Sequence, residues 1–109
     1  EEEDLSDDHP NLISICENMA RCLIGVNEFS KALPNYIEAL RVKKVWLHNG
    51  EDRRDGHVCD LTRSVGDCYY GGGRYSDALE NYEDALGIAT LIHKHGHPND
   101  DDDNDDDDK

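Results

Sequence analysis

EFSKALPNYIEAL, residues 28–40, and RYSDALENYEDAL, residues 74–86, run in the same order: an aromatic, a serine, Ala-Leu, Asn-Tyr and Ala-Leu, 46 residues apart. The register extends beyond these stretches. The same shift sets Cys22 on Cys68, Gly25 on Gly71 and Gly50 on Gly96. Self-similarity at one fixed spacing marks a duplicated supersecondary unit. The chain therefore reads as two copies of one unit, over residues 11–50 and 57–98.

Within each unit apolar residues recur at three and four, the spacing that gathers them on one side of a helix. Leu12, Ile15, Cys16, Met19, Ala20 and Leu23 form such a stripe over residues 11–25. Gly25 and Asn27 follow in a short polar break, and both residue types tolerate the positive φ of a tight helix-to-helix turn. A second helix is expected over residues 30–48, with Ser30 as N-cap and Ala32, Leu33, Tyr36, Ile37, Ala39 and Leu40 facing inward. Pro34 falls near its opening turn, where a proline is tolerated at the cost of local distortion. The second unit repeats the order as a helix over 57–70, the turn GGGR and a helix over 76–95. The predicted fold class is all-α, four antiparallel helices in two helix-turn-helix repeats. Small residues stand against large aromatics at matching places, which is how neighbouring helices interdigitate.

The charge is distributed unevenly. Of the 26 acids, six lie in residues 1–8 and eight in residues 99–109, so the formal charge of −15 belongs mainly to the ends. Blocks of like charge repel themselves and bury no apolar surface, so both ends are expected to be disordered. The nearly neutral body lacks the clustered basic surface that nucleic acid or an anionic membrane would require. No apolar run reaches the length of a membrane span and no apolar leader opens the chain, which makes the cytoplasm the default location. Cys16, Cys22, Cys59 and Cys68 sit among apolar residues without a CxxC pair, and read as reduced core residues. The chain opens on Glu and ends on DDDDK, which matches the enteropeptidase recognition sequence of purification tags; the acidic tail reads either as natural or as appended.

The small-and-large order resembles the tetratricopeptide repeat. Its signature roles fall to Ala20, Leu23, Phe29, Ala32, Tyr36 and Ala39 in the first unit. In the second they fall to Gly66, Tyr69, Tyr75, Ala78, Tyr82 and Ala85. The usual period of that family is 34 residues, so each unit here is about 12 residues longer. A long period with DDHPNL opening the first unit and ALGIATLIHKHGHPND closing the second is similar to the kinesin light chain subgroup, whose second helices are extended. EDRRDGHV departs from that pattern, standing where the subgroup places another HP.

The resemblance implies an α-solenoid of two repeats over residues 9–98, serving as a protein–protein interaction module that holds a partner's peptide or helix in a concave groove lined by the first helices. By that reading the groove residues are Ser14, Glu17, Asn18, Arg21 and Ile24 on the first unit, and Asp60, Arg63, Ser64, Asp67 and Tyr70 on the second. Asn18 matches the family position whose amide bonds the N–H and C=O of a bound backbone. With only Arg21 and Arg63 basic on this face, a clamp for a terminal carboxylate is not reproduced. About three repeats are normally needed for stability. The expectation is therefore a piece of a longer array, a module that self-associates through its open end, or an unusually small autonomous domain. No GxSxG, P-loop or HExxH is present, so the reading is non-enzymatic and without cofactor. His93, His95 and His97 offer zinc or calcium ligands beside the tail, but alternate residues at a helix end fix no coordination geometry, and no metal site is assigned.

Overall fold

The computed structural model describes the backbone of residues 5–47 and 55–95, with side chains over 10–47 and 55–94. Four helices and no strand are found there: α1 Leu5–Gly25, α2 Phe29–Trp46, α3 Gly56–Gly71 and α4 Tyr75–His95. The described residues are all-helical apart from the turns, as the periodicity leads one to expect. α1 packs on α2 and α3 on α4, giving two hairpins, and α2 packs on α3 to join them. Residues 1–4 and 96–109, the first half of the EDRRDGHV link, and the Gly50 and Gly96 match lie outside the described residues.

Helix boundaries differ from expectation where local chemistry was misread. α1 begins at Leu5, six residues early and inside the stretch assigned to disorder, and it runs through Pro10. α2 likewise continues through Pro34. In each case a proline deprives one carbonyl of its partner near the helix start, where few bonds have yet accumulated. Ser30 is not a cap, because α2 starts one residue before it, after Glu28, whose side chain makes no capping bond. α3 is capped instead by Asp55, whose Oδ1 accepts from the Val58 N–H at 2.9 Å.

The two hairpin turns are the same structure built from different residues. Asn27 has φ 63° and Gly73 φ 82°, and these positions correspond under the 46-residue shift. Glu28 N–H donates to Leu23 C=O and Asn27 N–H to Ile24 C=O, at 2.8 and 2.9 Å. Arg74 and Gly73 repeat both bonds to Tyr69 and Tyr70. This is the Schellman closure, which needs one left-handed residue and satisfies carbonyls left open at the helix end. Asn and Gly are the residues that take it at least cost.

Burial corrects the expected stripe on α1. Ile13 and Ala20 are buried, with Cys16, Leu23 and Ile24 half-buried beside them, whereas Leu12, Ile15 and Met19 face outward. On α2 the expected residues pack inward except the exposed Ile37, and Val42, which was not expected, is fully buried. Every signature residue of both units is buried or half-buried apart from Tyr75. The core continues through Leu61, Val65 and Cys68 of α3. All four cysteines are free, but Cys22 is exposed and not a core residue. Burial, with the Asp67 charge second, pushes the Cys68 thiol up to about 11.

Two close approaches set the helix spacing. The Phe29 ring lies directly on Gly71, so that a Cβ there would meet ring atoms at 2.5 Å, and the Tyr82 ring lies on Gly66, where the distance would be 2.7 Å. Gly25, the counterpart of Gly71, has nothing within 4 Å of such an atom. Alanine should therefore act oppositely at the two matching positions. Gly71→Ala is expected to lower the unfolding free energy by about 1–3 kcal/mol through overpacking. Gly25→Ala should raise it by up to about 1 kcal/mol through helix propensity alone. Urea unfolding of both variants checks the pair, and equal effects would show that Phe29 does not constrain the joint.

Candidate functional site

The first helices of the two units meet through polar side chains. Glu17 on α1 reaches His57 at the start of α3, Oε2 to Nε2 at 3.1 Å, with both groups partly screened from solvent. Tyr36 rises from α2 beside them, fully packed, with its hydroxyl close to Ser64 of α3 and within the fields of Arg21 and Glu17. Burial pushes its phenol up, while the Ser64 side chain opposes the shift. Glu17, Arg21, Tyr36, His57 and Ser64 thus form one polar seam across the two repeats.

Three expected groove residues stand on this seam, and the others divide. Asn18 is exposed beside it, and its Oδ1 accepts from Arg21 Nη2 at 2.6 Å. An amide oxygen has a second lone pair and the NH2 two donors, so Asn18 retains the capacity to bond an incoming backbone. Asp60 and Arg63 are exposed on α3, 3.9 Å apart. A surface pair of this kind contributes little to stability and is easily exchanged for a ligand. Ser14 lines a cleft of about 250 Å³ with Ile13, Lys43, Trp46 and His57. The Lys43 ammonium stands 5.2 Å from the exposed Trp46 ring, a cation–π arrangement at the mouth of this cleft.

The structure places the remaining candidates elsewhere. Ile24 packs against the core and is no free groove residue, because the Schellman turn draws the end of α1 inward. Ser64, already counted on the seam, is half-buried there beside the Tyr36 hydroxyl. Asp67 accepts from the Tyr82 hydroxyl at 2.5 Å, tying α3 to α4. Tyr70 is exposed, but it stands against Tyr75 with ring centroids 5.3 Å apart, at the far end from Ser14. Sequence reasoning missed His57, Lys43 and Trp46 as site residues. Only His57 carried a signal, since it begins α3 where its side chain can reach back to the preceding unit.

No group of three His, Cys, Asp or Glu side chains gathers as a metal site among the described residues, and the His95 side chain and His97 lie outside them. No helix among the described residues is long and apolar enough to cross a membrane. In comparisons with family models, curated proteins and solved structures, the chain matches none.

The Tyr82–Asp67 bond gives the second hairpin a pH signature. Burial first, then the Asp67 hydrogen bond and charge, push the Tyr82 phenol from 10 up to about 12. The folded state holds this proton more tightly than the unfolded chain. Its stabilising contribution is therefore complete below pH 10 and is lost as pH rises through 12. Among the five tyrosines, Tyr82→Phe should remove a late step from the tyrosinate absorbance titration, and Asp67→Asn should move that step part of the way back toward 10. A titration unchanged by either substitution would mean the bond does not persist in solution.

Proposed function

We propose that the chain is a protein–protein interaction module of the tetratricopeptide type, and that a partner's extended peptide or helix lies along the α1–α3 face. The observation that carries this reading is the Glu17–His57 contact, which sets the first helix of one repeat beside the first helix of the next. Asn18 and Arg21 on α1 and Asp60 and Arg63 on α3 are exposed, and together they would offer the partner a polar surface two repeats wide.

The chemistry of that surface selects its ligand. Carboxylates and guanidinium groups alternate, so a peptide of mixed charge meets a partner at each step, whereas a single terminal carboxylate finds no basic cluster. Asn18 would bond the peptide backbone, Arg21 and Arg63 its acidic side chains, and Glu17 and Asp60 its basic ones. The long period resembling the kinesin light chain subgroup is compatible with the 18- and 21-residue second helices α2 and α4, which hold the first helices in place.

A library of mixed-charge peptides displayed against the immobilised chain tests the proposal, with the selected sequence titrated by calorimetry. Asn18→Ala should weaken binding about tenfold, the effect of losing one or two backbone hydrogen bonds in a desolvated contact. Arg63→Glu should change which charges are selected. A selected peptide whose affinity ignores both substitutions would place binding on another face.

A further inference from the structure

The outer faces of α1 and α4 are the two halves of one joint. Under the 46-residue shift Ile15 and Met19 of α1 correspond to Leu61 and Val65 of α3. The α3 pair is 0% and 4% exposed against α2, while the α1 pair, with no helix before it among the described residues, is 55% and 50% exposed. The other end mirrors this. Leu33 and Leu40 of α2 are partly buried and pack on the core, yet their α4 counterparts Leu79 and Leu86 are 58% and 66% exposed.

The aromatic knob and its socket follow the same rule. Phe29 is seated on Gly71 at the internal joint. Its counterpart Tyr75 is exposed, and Gly25, the counterpart of Gly71, has nothing within 4 Å of a Cβ position. Among the described residues, α4 thus carries a knob without a socket and α1 a socket without a knob.

We propose that a second copy of this chain docks head-to-tail, with α4 of one copy against α1 of the next, through the arrangement α2 and α3 make within each copy. Tyr75 enters the Gly25 socket, and Leu79 and Leu86 cover Ile15 and Met19. The occupant is a second copy because the complement of each open face, at the same repeat register, lies at the opposite end of the same molecule. Such a contact is heterologous, so it leaves a free head and a free tail after each addition and grows past the dimer. The joint is apolar and the chain carries a formal charge of −15, so like-charge repulsion opposes assembly and screening by salt strengthens it. The contact uses none of the exposed charges assigned to peptide binding, and its failure would leave that reading standing.

Sedimentation equilibrium over a wide concentration range, at low and moderate salt, tests the proposal on three proteins. The wild type should gain mass with concentration beyond that of a dimer, and more so at moderate salt. A head-blocked variant, I15E with M19E, and a tail-blocked variant, L79E with L86E, should each remain monomeric, while their equimolar mixture should form a 1:1 dimer and stop there. All four positions are exposed, so circular dichroism should report unchanged helix content. Gly25→Ala, which fills the open socket without harming the monomer, should weaken assembly at least about tenfold. A concentration-independent wild-type monomer would overturn the proposal, as would block by only one variant or a mixture that fails to pair, since a symmetric contact cannot be restored by mixing.

Discussion

The seating of Phe29 on Gly71 is the constraint from which the rest of the structure follows. A helical hairpin alone buries one side of each helix, and two hairpins become one body only if the second helix of one can approach the first helix of the next closely. Gly71 makes that approach possible, because any side chain there would occupy the volume of the Phe29 ring. Once α2 lies on α3, Tyr36 and Val42 close over Leu61, Val65 and Cys68, and the core becomes continuous across the two units. The Schellman turns at Asn27 and Gly73 hold the hairpin angle that keeps both rings in place.

The polar seam is a consequence of the same joint. Bringing α2 onto α3 also brings Glu17 of α1 within reach of His57 at the start of α3. Tyr36 belongs to both worlds, its ring in the core and its hydroxyl on Ser64 at the edge of the seam. An amphipathic aromatic at this place couples the packing of the repeats to the surface they present. Exposed polar residues and residues that pack are therefore neighbours along the same helices, separated only by rotation about the helix axis.

Much of this was legible in the residue order. The duplication, the four helices, the turns and the small-against-large signature all follow from spacing, since helical periodicity places residues on a face whatever lies opposite. The rotation of α1 was not legible. Leu12, Ile15 and Met19 make an apolar stripe as clear as that of Val58, Leu61 and Val65, but among the described residues only the α3 stripe is covered by a neighbour. Ile24 and Ser64, assigned to the groove by the same reasoning, are half-buried, Ile24 against the core and Ser64 beside Tyr36. Trp46 and Lys43 carried no signal, because a cleft forms from residues of three helices whose meeting point spacing does not report.

The sequence by itself determined the unit: its length, its two helices, its left-handed turn residue and the side chains that interdigitate. Those properties depend on contacts a few residues apart, which local periodicity encodes. Only the tertiary structure decided which copies of each residue are covered. Phe29 and Tyr75 are the same residue of the same repeat, yet one is seated and the other exposed, because burial depends on what stands on the other side of a helix and that is a property of position in the stack.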